Sequence, residues 1–216
     1  MHRFPASLLD GYRSFMDDRY ARESSRYKDL AASGQSPRVM IIACCDSRAA
    51  PETIFNAGPG ELFVLRNVAN MVPTFQPDGG QHGTSAAIEF AVNGVGVTDI
   101  VVMGHGRCGG IRAAVSDASP LTNSDFIGSW MRAIKDVTRI VPREEGCNDA
   151  LHERHIERAS IEHSLANLRT FPWIRMKENR KELSLHGVWF DIAMGELHAY
   201  DEDEAVWSAI SGGEAA

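Results

Sequence analysis

Three short apolar runs, Val39–Cys44, residues 61–66 and residues 99–104, constrain the fold of this chain more than any other feature. Each has the length and β-branching of a strand buried on both faces, which is the pattern of a parallel sheet. Parallel neighbours need a crossover of about a dozen residues or more, and residues 84–94 supply one. Ala87, Ile88, Ala91 and Val92 fall there on one stripe behind a Thr or Ser cap. Strand, helix and strand in that order predict a right-handed βαβ unit.

The remaining segments fit around such a sheet. Residues 6–32 carry Leu8, Leu9, Tyr12, Phe15, Met16, Tyr20, Tyr27 and Leu30 near helical spacing, so they predict an amphipathic arm that must bury its apolar face somewhere. From 125 to 168, charged residues interleave with Trp130, Ile134, Val137, Ile140, Ile156, Ile161 and Leu165, predicting two helices broken near 142–148. Residues 183–192 and 196–200 flank Met194 and Gly195 and read as a hairpin at the sheet edge. The expected fold is therefore α/β, a single domain with a central, mostly parallel β-sheet flanked by helices. Its expected parts are an N-terminal helical arm over 1–34, an α/β domain over 35–205 and a flexible tail over 206–216, with the acidic and Gly-rich end from 201 expected to fray.

A chain of 216 residues can bury a sizeable core without a staple. Its formal net charge of −7 argues against a broad basic surface and against nucleic acid as a partner. Residues 1–11 hold only the short apolar pair Leu8–Leu9, and no later run reaches membrane-spanning length, so the chain is expected to be soluble and cytoplasmic. Its four cysteines, Cys44, Cys45, Cys108 and Cys147, are then expected to be reduced thiols.

Two of the strand ends carry chemistry. Cys44, Asp46 and Arg48 follow the first run, and His105 and Cys108 follow the third. Cys44 and Asp46, at i and i+2, project to one side of an extended chain, whereas Cys45 projects to the other and is expected to be a packed core thiol. Open α/β sheets place ligands beyond the carboxyl ends of their strands, where both pairs emerge, and a helix start after Cys108 favours its thiolate. Two thiols, an imidazole and a carboxylate complete a tetrahedral zinc shell, and an arginine two residues after the carboxylate can draw it away and open a coordination position.

Taken singly, Cys44 and Cys108 are as well explained as buried inert thiols, and His105 as a core imidazole. A closed structural zinc is a sharper rival, although such sites serve small domains that lack a core. Gly104, Gly106 and Gly109 formally spell a dinucleotide fingerprint, but the acidic residue it needs at the end of a second strand would fall near 120–125, where no strand leads.

Together these residues resemble the β-class carbonic anhydrases, in their plant-like subclass. The resemblance is densest over 35–110. It rests on Cys44-x-Asp46-x-Arg48, on Pro59-Gly60-Glu61-Leu62-Phe63, on Arg66-Asn67-Val68-Ala69-Asn70 and on Gly104-His105-x-x-Cys108-Gly109-Gly110. It implies one Zn2+ per subunit on Cys44, His105 and Cys108, with Asp46 as the displaceable fourth ligand paired to Arg48. It also implies that Gln35 reaches the active site of a partner subunit, in a homodimer or a higher even-numbered oligomer, and that Phe63 lines an apolar carbon dioxide pocket. Where the subclass has a pocket tyrosine this chain has Phe90, so that hydroxyl is missing. The residues matching a bicarbonate-regulated bacterial subclass are Ile41, Arg66 and Phe190, and no such regulation is expected.

The implied reaction is reversible hydration of carbon dioxide to bicarbonate and a proton. The attacking species is a zinc-activated water oriented by Asp46 and Arg48, with the Gln35 amide and the Gly109 N–H facing the product oxygens. Carbonic anhydrases with three histidine ligands lower the pKa of that water from about 15.7 to about 7. Two thiolates donate more charge than two imidazoles, so this shell is expected to favour alkaline pH. His82 and Arg107 are read as a proton-export candidate and a source of positive potential, each equally well explained as a solvated surface group. Carbonyl sulfide or carbon disulfide hydrolysis on the same fold, and a noncatalytic zinc-stabilised interaction protein, stay open as alternatives.

Overall fold

The computed structural model describes residues 4–115, 126–143 and 146–210. Its centre is a six-stranded sheet built from β1 (Val39–Cys44), β2 (Leu62–Asn67), β3 (Asp99–His105), β4 (Ser184–Asp191), β5 (Glu196–Asp201) and β6 (Val206–Ala209), ordered β2-β1-β3-β4-β5-β6. The first four are mutually parallel, while β5 and β6 add antiparallel at one edge. The three apolar runs are thus β2, β1 and β3, side by side, with β1 in the middle.

That order creates the site. The chain steps from β1 to β2 on one side and then crosses back over β1 to begin β3 on the other. The carboxyl ends of β1 and β3 therefore flank a reversal of strand order, the crevice in which open α/β sheets bind ligands. Parallel register aligns Ala43 with Met103, which leaves Cys44 and His105 at neighbouring strand ends.

Alternation along β1 divides the core. Met40 and Ile42 face a large cluster formed with α4 (Gly83–Glu89), α7 (Asp149–Leu168) and α8 (Pro172–Asn179), including Ile88, Ile161, Leu165 and Ile174. Ile41 and Ala43 face Met103 and Val188 on the other side. A third cluster lies beyond the strand ends, where Cys44 and Cys108 pack with residues of α5 (Gly109–Val115), α6 (Phe126–Ile140) and α7. Helix α7 seats closely on the sheet: a Cβ at Gly104 would come within 2.6 Å of the Ile161 side chain, so only glycine admits the helix there. The side chain of Asn148 caps α7 by accepting from the Leu151 N–H at 2.9 Å.

The expected break between two helices falls between α6 and α7, and β4 and β5 form the expected hairpin. Three expectations are corrected. Helix α4 begins without a Ser or Thr cap, because it starts at Gly83 with His82 at its N-cap, which places Thr84 inside the first turn, where its Oγ1 accepts from the Asn67 side chain at 3.3 Å. Cys45 is exposed rather than packed, since the side of the chain opposite Cys44 faces out where β1 ends. Residues 206–209 are not tail but strand β6, paired with β5 through contacts such as Tyr200 with Trp207, at 5.2 Å between ring centroids. Residues 211–216 of the expected tail and the 120–125 stretch lie outside the described residues.

The arm is α1 (Ala6–Phe15), a wider π-helical stretch over Met16–Tyr20 and α2 (Ala21–Ser33), with no buried residue in any of the three. It is tied to the domain by Arg26 on Glu61 at 2.9 Å and by Arg19 on the Ala57 carbonyl at 3.2 Å. Phe4, Leu8, Leu9, Tyr12 and Met16 stay exposed on the single chain. No helix among the described residues is long and apolar enough to cross a membrane.

Candidate metal centre

Cys44, His105 and Cys108 converge at the β1 and β3 ends, with their ligand atoms all within 4.8 Å of one another and each residue buried. The two sulfurs are 4.0 Å apart, close to the roughly 3.8 Å that two zinc–sulfur bonds of about 2.3 Å span at a tetrahedral angle. His105 is fully enclosed, and its Nδ1 lies 3.0 Å from the Gly106 carbonyl. A carbonyl only accepts, so Nδ1 carries the proton and Nε2 presents its lone pair. That Nε2 is buried with no hydrogen-bond partner. A bare imidazole nitrogen aimed between two thiols fits a soft, tetrahedral cation such as zinc, and an apolar core gives no reason for it.

Asp46 sits beside the cluster but is turned away from it. Its Oδ1 accepts from Arg48 Nε and from the Arg48 backbone N–H, both at 3.0 Å, and its Oδ2 accepts from Arg48 Nη2 at 2.7 Å. Oδ2 remains 3.9 Å from His105 Nε2. Arg48 is positioned in turn by the Arg107 carbonyl, which accepts from Nη2 at 3.2 Å. The contribution of Arg107 is thus its backbone, held in the left-handed region at φ 58°.

The electrostatics follow from these contacts. Hydrogen bonds from Arg48 hold the Asp46 carboxyl well below the usual carboxylate range, against the opposing effect of burial. The two thiols share a proton: the hydrogen bond from Cys108 pulls Cys44 down to about 4, and the same bond, reinforced by burial, pushes Cys108 up. Burial disfavours a charged His105, but the neighbouring Cys44 sulfur, the Gly106 carbonyl and the Asp46 charge outweigh it, so its pKa is raised. A proton shared between the two sulfurs favours a thiolate at the centre, the form that binds a cation.

A family model described as carbonic anhydrase matches residues 39–197. "Beta carbonic anhydrase 5, chloroplastic" of Arabidopsis thaliana is 37% identical over 183 residues, 83% of this chain and 59% of that protein. The chain belongs to the β-class carbonic anhydrases. It is accordingly similar to the carbonic anhydrase of Pseudomonas aeruginosa, at 36% identity over 194 residues, covering 90% of this chain and 86% of the other. Among solved structures it resembles the β-carbonic anhydrase CcaA, with a TM-score of 0.87 and 28% identity over 95% of this chain and 92% of that one. It also resembles tetrameric β-carbonic anhydrases of Sordaria macrospora, with a TM-score of 0.79 and 28% identity over 94% and 98%. Membership makes the chain an enzyme, a lyase, of a family whose reaction is carbon dioxide hydration.

The fold of this carbonic anhydrase separates Gln35, Phe63 and Phe90 from its own candidate metal cluster and keeps Gly109 beside it. Gln35 lies in the exposed link before β1 and makes no side-chain hydrogen bond among the described residues. Phe63 pairs with Met40, near the start of β1, whereas Cys44 pairs with Asn67. Four residues of strand are about 13 Å, so Gln35 and Phe63 sit towards the opposite end of the strands from Cys44. Phe90 joins Phe63 there, with ring centroids 6.0 Å apart, and is 57% exposed. Gly109 begins α5 directly after Cys108 and is exposed next to the cluster. His82 pairs with Asp78 at 2.6 Å on the surface.

Two residues at the centre escaped sequence reasoning in this role. Arg66 donates to the carbonyls of Cys44 at 2.8 Å and Asp46 at 2.6 Å, clamping the loop after β1. Glu157 is 3% exposed and accepts from the Cys108 N–H at 3.0 Å and from Trp189 Nε1 at 3.1 Å. Burial pushes its pKa up, and the two N–H donors oppose this. Enclosing a carboxylate costs several kcal/mol, roughly, and two such bonds return about 1.5–3 kcal/mol each. The signal for Arg66 is its place in the Arg66-Asn67 motif; Glu157, inside a charged helical stretch, has none.

Proposed function

We propose that this β-class carbonic anhydrase hydrates carbon dioxide reversibly at a zinc ion held by Cys44, His105 and Cys108, with Asp46 and Arg48 as its orienting pair. The observation that carries the reading is a carboxylate locked onto an arginine in two-point contact, 3.9 Å from a bare histidine nitrogen flanked by two thiols. A structural metal has no use for such a pair. Zinc in this shell would supply the Lewis acidity that makes a water molecule a competent nucleophile near neutral pH.

The chain's own groups direct the rest. Arg48 keeps Asp46 out of the fourth ligand corner. Asp46, ionised, can only accept, so it takes the O–H of the nucleophile and turns an oxygen lone pair towards carbon dioxide. The Gly109 N–H faces the product oxygens. Gln35, Phe63 and Phe90 act in trans, one chain supplying the amide and the apolar wall to the site of its partner. This is supported by their distance from their own cluster and by the exposed apolar faces of Phe90 and the arm. The working unit is a homodimer or an even multiple of it, in a cytoplasmic setting that keeps the ligand thiols reduced.

Stopped-flow carbon dioxide hydration tests the reaction. Turnover is expected to need about one zinc per chain and to rise with pH, with carbonyl sulfide hydrolysis far slower. Zinc-loaded protein with no hydration at any pH, or with carbonyl sulfide as its better substrate, ends the proposal. The same traces are expected to show no bicarbonate-dependent inactivation. Ile41 and Phe190 belong to one apolar cluster, and Arg66 is occupied by two backbone carbonyls, so a bicarbonate ion meets no free cation there.

Sharing in trans predicts complementation. Gln35→Ala is expected to lower turnover about 10-fold or more and Asp46→Ala to abolish most of it. Refolding the two together forms mixed dimers in which one site has its own Asp46 and a partner's Gln35, so activity rises above both parents. Light scattering should give at least twice the chain mass. An active monomer, or mixtures no better than the average of the parents, contradicts the shared site.

A further inference from the structure

We infer that Glu157 is a positioning residue for the ligands His105 and Cys108, its buried carboxylate locking the strained turn that presents both of them; this rests on the zinc reading above. The turn has to deliver two ligands three residues apart to one point, and it does so with Arg107 in the left-handed region, at φ 58°. Such a conformation persists only where its surroundings over-determine it. Glu157 supplies that constraint from both sides. One oxygen accepts from the Cys108 N–H and the other from the Trp189 indole N–H. The indole in turn lies against Gly106, where a Cβ would come within 3.1 Å of Trp189 Cζ2. Glu157, Cys108, Gly106 and Trp189 thus close a brace around the turn. Gly106 is also the residue whose carbonyl fixes the protonated nitrogen of His105, so the brace sets the lone pair on Nε2 as well as the place of Cys108 Sγ.

Helix α7 explains how one residue reaches this spot. Ile161 seats the helix on Gly104, and Glu157, one turn earlier on the same face, extends past the end of β3 to the turn. A leucine or methionine would fill that volume without enclosing a charge. A carboxylate whose two oxygens meet donors from two different segments has a placing role that packing alone does not give it.

The test compares the parent protein with Glu157→Gln and Trp189→Phe, each stripped of metal and reloaded with Zn2+ or Co2+. Glutamine keeps the size of the side chain but turns an NH2 towards one of the two donors. Phenylalanine keeps a ring on Gly106 and removes a single N–H. Zinc affinity, read by chelator competition, is expected to fall about 10–100-fold in Glu157→Gln and by less in Trp189→Phe. The thiolate-to-cobalt absorption bands are expected to shift in both. A carboxylate with a merely structural role would lower the melting temperature of the metal-free protein and leave the cobalt bands and zinc affinity of the folded variant unchanged. If Glu157→Gln fails to fold, Trp189→Phe decides. Parent-like affinity and parent-like bands in whichever variant folds overturn the inference alone, whereas a parent protein that takes up no zinc overturns the metal reading and this inference with it.

Discussion

Cys44→Ser and Cys108→Ser are each expected to yield folded protein with less than about a tenth of an equivalent of zinc and no measurable carbon dioxide hydration. Both sulfurs are buried and 4.0 Å apart, so each is half of a preformed soft donor pair. A serine hydroxyl is a weak, hard donor that stays protonated, and one thiolate with one imidazole makes an incomplete shell. The substitution leaves a hydroxyl in an apolar cluster, at a cost of about 1–3 kcal/mol that a domain of this size tolerates. Elemental analysis against circular dichroism separates metal loss from unfolding. Full zinc retention in either variant removes the ligand assignment.

Asp46→Ala is expected to keep its zinc and to lose about 100-fold or more in hydration. Asp46 is not among the three converging ligands, and its carboxylate is committed to Arg48, so the shell survives its removal. What disappears is the acceptor that fixes the nucleophile's proton and the partner that holds Arg48 in place. Little stability is at stake, because Arg48 is half exposed and solvent screens the pair. The pH dependence follows from the sign of the shift. A carboxyl held below its ordinary range stays ionised as pH falls through that range, so the Asp46–Arg48 pair persists there and the alkaline rise in turnover belongs to another group. Parent-like turnover in Asp46→Ala excludes the orienting role.

The parts legible in advance were those that local patterning dictates. Apolar runs of strand length marked β1, β2 and β3, and the stripe of 84–94 marked α4 together with the wider π-helical stretch over Phe90–Val95 that continues it. The hairpin of β4 and β5 followed from alternation around a glycine turn, whereas β6 did not, because an acidic stretch rich in turn residues hides a four-residue edge strand. The cap of α4 misled for a related reason: Thr84 has the right side chain, but the helix already starts at Gly83, so Thr84 falls within its first turn.

The metal centre divides along the same line. Residue types and spacing alone put three groups able to bind a metal, Cys44, His105 and Cys108, at strand ends with Asp46 and Arg48 beside them, because these groups follow their strands directly and β geometry sets which side they face. Only the tertiary structure decided that Asp46 is turned onto Arg48, that Gln35, Phe63 and Phe90 lie at the far end of the strands from the cluster in their own chain, and that Glu157 and Arg66 hold the two ligand loops. Those outcomes depend on strand order, on register and on how closely α7 approaches Gly104. These are properties of packing between distant segments, and no local stretch of residues encodes them by itself.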